Sequence, residues 1–180
     1  MTTSMPRTRV APPGPDEYGA YYGRYIARVP ADTDILEVLE RQGESTLARF
    51  SAVPEARGSY RYAPGKWSIK ELALHLGDTE RIMAYRALRV ARADQTPLPG
   101  FDENAYTPAS GADAVPLAEL AQGLSDVRRA TLSLLRVLPA DAWTRRGTAS
   151  EAPVSVRSLA WIIAGHELHH LEVLAERYGV

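Results

Sequence analysis

Ser155 to Tyr178 reads SVRSLAWIIAGHELHHLEVLAERY, and the fold turns on whether this stretch is one helix of a bundle or the catalytic helix of a protease. Leu159, Ile163, His166, His170, Val173 and Arg177 recur at steps of three or four, the period of a single helical stripe. From His166 the sequence also reads H-E-x-x-H, in which two zinc-binding histidines sit one turn apart and a glutamate serves as the base of a metalloprotease. Such enzymes need a third ligand downstream, either the last histidine of H-E-x-x-H-x-x-G-x-x-H or a glutamate on a later helix. Val173 and Glu176 occupy the places of that glycine and histidine, and the ten residues after His170 leave no room for another helix. The protease reading is set aside, and Glu167 is expected on the helix surface.

Three further segments share the helical period. Asp34 to Ala52 carries Ile35, Leu36, Leu39, Thr46, Leu47 and Phe50 on one stripe. A second helix opens at Ser68, where SIKE is an S-x-x-E capping box, and continues to about Ala93 with Leu72, His75, Leu76, Thr79, Ile82 and Met83 on one face. The third starts at Pro116 and runs Leu117, Leu120, Leu124, Val127, Thr131, Leu134, Leu138, the narrow seam of a bundle helix. No stretch alternates like a strand, so the expectation is an all-α four-helix bundle. The connection DQTPLPGFDENAYTPASGADAV between the second and third helices is longer than compact bundles need, which marks a crossover, a functional loop, or both. A crossover makes the second and third helices parallel and the fourth antiparallel to the second, an up-down-down-up order.

Residues 1–15 are rich in proline and small polar residues and are expected to form a flexible tail before a single domain, residues 16–180. Tyr18, Tyr21, Tyr22 and Tyr25 then fall on one face of a short N-terminal helix, expected to pack on the core. The formal net charge is −1, which recommends neither nucleic acid nor an anionic membrane as partner. The N-terminus lacks an apolar secretory segment and no later run is long and apolar enough to span a bilayer, so a cytoplasmic location is expected. With no cysteine, any metal must use nitrogen or oxygen ligands.

Two histidines at i and i+4 share a helix face with Cβ atoms about 5–6 Å apart, so His166 and His170 can reach one ion. With helices two and four antiparallel, His75, about seven residues into helix two, comes to nearly the same level. Three buried imidazoles without polar partners would each incur a desolvation cost of about 1–3 kcal/mol, so metal binding explains the pattern better than core packing does. Three imidazoles also leave positions open for water or substrate, as in a catalytic rather than a structural site. Zinc is the default, with nickel or ferrous iron compatible. His169, turned about 100° from His170, is expected beside the ligands rather than among them.

The segments RYAPGKWSIKELALHLGDTERIMAYRALRVARAD, LPGFDENAY and VSVRSLAWIIAGHELHHLEVLAERYG resemble the DinB-like (DinB/YfiT) superfamily of metal-binding four-helix bundles. The resemblance covers nearly the whole chain after the tail. It implies the metal triad His75, His166 and His170, the same up-down-down-up topology and a homodimer. It also implies an activity: thiol-dependent members use the metal to activate the sulfur of mycothiol, bacillithiol or glutathione for transfer to an electrophile, while others are called hydrolases. The expectation is a thiol S-transferase, with metal-dependent hydrolysis or a non-catalytic metal-stabilised binding protein as alternatives.

Other residues are candidates around that centre. Trp67 is expected to staple helix two and is a candidate for lining the pocket. Asp102, Glu103, Asn104 and Tyr106 lie in the crossover, which can fold over the site, although Asp and Asn there also suit loop caps. Arg86, Arg89 and Arg92 recur at i, i+3, i+6, where they could grip the carboxylates of a thiol, or line a solvated or salt-bridged face. Glu80 is expected to pair with an arginine of the bundle.

Overall fold

The computed structural model describes residues 9–180. The short α1 (Gly23–Ile26) precedes the long helices α2 (Ile35–Ser51) and α3 (Ile69–Ala91); the short α4 (Glu103–Ala109) lies in the crossover. The long α5 (Leu117–Arg136), a hairpin of β1 (Arg146–Ala149) and β2 (Ala152–Ser155), and the long α6 (Val156–Val173) complete the chain. Among the described residues no helix is long and apolar enough to cross a membrane. The expected tail falls outside the described residues as far as residue 8; from Arg9 the chain lies against the bundle, with Val10 packed on the core.

The helices start where the sequence supplies caps. Asp34 accepts from the Leu36 amide at 2.9 Å, and Ser68 and Glu71 form the reciprocal box read from SIKE. Ser155 accepts from the Ser158 amide at 3.0 Å.

Hydrogen bonds between helices fix the order. Ser68, at the start of α3, donates to Asp113 just before α5, so these two helices run parallel. Tyr178, just beyond α6, donates its hydroxyl to the Trp67 carbonyl before α3, so α6 runs antiparallel to α3. Gln42 and Arg49 of α2 donate to the carbonyls of Ala164 and Leu171, so α2 and α6 are parallel. This is the up-down-down-up bundle that the long connection predicts.

Expectations fail locally in several places. The hairpin was hidden because Ser150 and Glu151, at φ 51° and 62°, occupy the left-handed turn positions usually marked by Asn or Gly. Leu98 of the crossover bonds to it on both sides, its amide donating to Thr148 and its carbonyl accepting from Ser150. The seam of α5 is also rotated. Arg128, Leu132 and Leu135 are buried where Val127 and Leu134 were expected, and those two line an outer apolar groove with Tyr85 and Leu88.

The rotation serves a polar layer across the bundle. Arg128 donates to both oxygens of Glu80 at 2.9 and 2.8 Å, to Glu167 at 2.7 Å and to the Leu39 carbonyl at 2.6 Å. Thr46 donates to the other Glu167 oxygen. Glu167, expected on the surface, is therefore buried at 3% exposure, because it faces α2 and α5 rather than solvent. Apolar clusters lie on either side of this layer, one around Leu39, Met83 and Leu159, the other around Phe50, Leu72 and Leu124.

The N-terminal tyrosines do not share one helix: Tyr18 is extended and bridges to Val154, Tyr21 and Tyr22 lie in a 3-10 turn, and Tyr25 lies in α1. Tyr25 is buried, but Tyr21 is 55% exposed, so the expected common core face is split. Gly165 lets this segment approach α6: a Cβ there would lie 2.0 Å from the Tyr25 carbonyl oxygen.

Replacing Arg128 by Met should cost about 3–5 kcal/mol in urea unfolding, because two buried carboxylates lose their counter-charge. Gly165→Ala should lower stability by about 1–3 kcal/mol through overpacking against backbone, although alanine is the better helix former. A denaturant midpoint at or above that of the parent would refute the packing account.

Candidate functional site

His75 lies in the second turn of α3, and His166 and His170 one turn apart on α6. Because these helices are antiparallel, the three rings meet at one level. His75 Nε2 lies 3.1 Å from His166 Nε2, and ring centroids are 4.5–5.0 Å apart. One ring nitrogen from each lies within 4.8 Å of the other two. His170 Nδ1 is buried without a hydrogen-bond partner.

The charge state follows from burial. Desolvation pushes the pKa of His75 down to about 4. The same penalty, reinforced by repulsion from the neighbouring imidazoles, holds His166 and His170 well below the ordinary histidine value. At neutral pH the rings are uncharged, and each has a ring nitrogen within 4.8 Å of the others that can offer a lone pair to a shared ion. Such a donor set could hold a divalent ion that favours imidazole, a need that helix packing alone does not meet.

Aromatic residues enclose the centre. Trp67 lies against His75, centroids 4.6 Å apart, and is stacked near His170 at 6.3 Å. Tyr25 packs edge-on against His166 at 5.3 Å and beside His169 at 5.5 Å. His169 is thus next to the triad and outside it.

Two chambers adjoin the centre, the first reaching all three ligand histidines and the second His170 alone. One, about 240 Å³, is lined by Arg24, Tyr25, Phe101 and Ser150 together with all four histidines. The other, about 290 Å³, is lined by Tyr62, Lys66, Asn104 and Tyr178. Trp67 and His170 belong to both walls.

The remaining sequence candidates divide. Asp102 caps α4, accepting from the Asn104 amide at 2.9 Å, and Tyr106 is 51% exposed beside Phe101; neither lines a chamber. The other two crossover candidates do: Glu103 lines the first chamber, together with Phe101, and Asn104 the second. Arg86, Arg89 and Arg92, the last of them the C-cap residue of α3, do not form a gripping face. Arg86 is buried and donates to the Pro99 carbonyl and Ser150 hydroxyl, fastening crossover to hairpin, while Arg89 pairs with Asp94. Sequence reasoning missed Arg24 and Phe101. The tyrosine spacing flagged the segment around Arg24, but not that it would fold over His166.

The histidines should leave a signature in stability. An unfolded His75 titrates near 6.5 and the folded one near 4, so within that window the unfolded chain binds more protons. Stability is intact above this window and lost as pH falls through it, by on the order of 3 kcal/mol from His75 alone. Urea unfolding of metal-stripped protein should show this loss, and His75→Leu should show less of it; equal losses would contradict the burial account.

The family comparison covers most of this architecture. The DinB superfamily profile matches residues 38–174. No curated protein matches the sequence. Among solved structures, the chain is similar to YfiT from Bacillus subtilis, described as a probable metal-dependent hydrolase with an unusual four-helix bundle topology. The TM-score is 0.68 at 17% identity, covering 84% of this chain and 93% of that one. It is also similar to the mycothiol-dependent maleylpyruvate isomerase, with TM-score 0.63 and 16% identity over 81% of this chain. The match spans 61% of the isomerase, so the likeness is to part of that protein. At these identities the structures establish a shared fold, and the profile establishes the lineage: this chain belongs to the DinB superfamily.

Proposed function

We propose that this protein is a metal-dependent enzyme in which His75, His166 and His170 hold one divalent ion, and that it transfers the sulfur of a low-molecular-weight thiol to an electrophile. The observation that carries the reading is the convergence of three neutral imidazoles, His75 and His166 buried and His170 half-buried. The adjoining polar layer supports it: Glu80 and Glu167 against Arg128 formally leave one negative charge behind His166, which favours a cation in front of it. Zinc fits by default, and nickel or ferrous iron also suit imidazole.

A divalent ion so held would deprotonate a bound thiol, supplying the nucleophile that a cysteine-free chain lacks. The protein's own residues then do the positioning. α3 and α6 hold the ligand nitrogens on rigid helices, while Trp67 and Tyr25 keep bulk water from the rings. Two chambers sharing the Trp67 and His170 walls suit two ligands approaching one centre, which favours transfer between a thiol and a second substrate. The likeness to a mycothiol-dependent enzyme supports mycothiol among the thiols; bacillithiol and glutathione fit the same chemistry.

Hydrolysis is the second reading, favoured by the likeness to YfiT over 93% of its length. It predicts turnover without added thiol. A homodimer and a cytoplasmic location belong to the same proposal, the exposed Tyr85 and Leu88 of the outer α3–α5 groove being a candidate subunit surface.

Elemental mass spectrometry of tag-free protein should find one ion per chain, lost in His75→Ala and His170→Ala. The loaded protein should then consume electrophiles only with a thiol present, and the two variants should fall by roughly 100-fold or more. Absence of metal after reconstitution with zinc, nickel and ferrous iron would remove the basis for the reading. Unfolding on metal removal, with no turnover, would favour a structural ion.

A further inference from the structure

Arg24 is the one guanidinium among the described residues that lines the first chamber. Among the described residues it forms no ion pair with a side-chain carboxylate, whereas Arg28, one turn later, pairs with Glu172. Its guanidinium lies 4.1 Å from the Tyr21 ring centroid and 4.7 Å from that of Tyr25, and it donates to the Tyr25 hydroxyl at 2.8 Å. Stacking holds the group while leaving N–H donors unused, and an arginine presents five donors in a fork matched to a carboxylate. Arg24 is itself exposed, but a guanidinium held against two rings has less freedom to lose on binding an anion than one on a free stem.

The rest of the chamber limits what accompanies the anion. Tyr22, Phe101, Met83 and Ile162 contribute apolar walls, and Trp67 lines the chamber together with the histidines of the triad. A volume of about 240 Å³ is below the roughly 300 Å³ at which pockets begin to suit drug-sized molecules. We propose that this chamber binds a small carboxylate with a planar, unsaturated body, its carboxylate on Arg24 and its body between the aromatic walls and the histidine triad. This rests on the metal-enzyme reading for its role, as the electrophile's site, but not for its binding. Glu103 also lines the chamber and would repel an anion beside it, which puts the carboxylate at the Arg24 end.

The test is calorimetric titration of the full-length chain with benzoate and with benzamide, its uncharged isostere, at low ionic strength. Wild type should prefer benzoate by about tenfold or more. Arg24→Gln should abolish the preference, Arg24→Lys should restore part of it, and Glu103→Gln should bind benzoate no more weakly than wild type. Arg129→Gln, an exposed change on α5, controls for net charge and should retain the preference. His75→Ala separates the two readings: if the protein binds no metal, the Arg24-dependent preference should survive in this variant. No preference in wild type, or a preference unchanged in Arg24→Gln, overturns the proposal. A preference lost in His75→Ala and kept in Arg24→Gln would place the anion on the histidine centre and equally overturn it.

Discussion

The guanidinium of Arg128 touches all four long helices: it extends from α5 to Glu80 on α3, to Glu167 on α6 and to the Leu39 carbonyl on α2. A guanidinium at 4% exposure is costly to desolvate, and burial alone would lower its pKa; the two carboxylates outweigh that and hold it above its usual value. The layer is therefore a registry device. Sliding any helix by one residue would leave a buried charge unpaired, a far larger cost than shifting leucines past one another.

The histidine centre depends on this registry. Glu167 directly follows His166, so the contact that locks α6 to α5 also sets the rotation that turns His166 toward His75. α6 thus presents a carboxylate toward α2 and α5 and two imidazoles toward α3 within one turn. Burial is what makes the imidazoles useful, since water around them would raise their pKa values and let protons compete for the lone pairs.

Around that rigid centre the enclosing parts are short and irregular. The α1 segment closes one side because Gly165 has no Cβ, and the crossover closes another because Leu98 and Arg86 fasten it to the hairpin. Helices fix the ring positions while loops and the N-terminal segment shape the chambers, a division that lets substrate preference vary without disturbing the metal-ligand geometry.

The sequence by itself determined the helices and their order. Caps at Asp34, Ser68 and Ser155, the three-four periods and the over-long crossover are local or additive signals, and they sufficed for an up-down-down-up bundle with His75, His166 and His170 on inward stripes. Only the tertiary structure decided which charged residues go inside. Arg128 and Glu167 look like surface residues in any helical projection, because their burial is favourable only when both meet Glu80 at once. The same holds for Arg24, Phe101 and the hairpin, whose places depend on contacts between segments far apart in the chain and not on any local period.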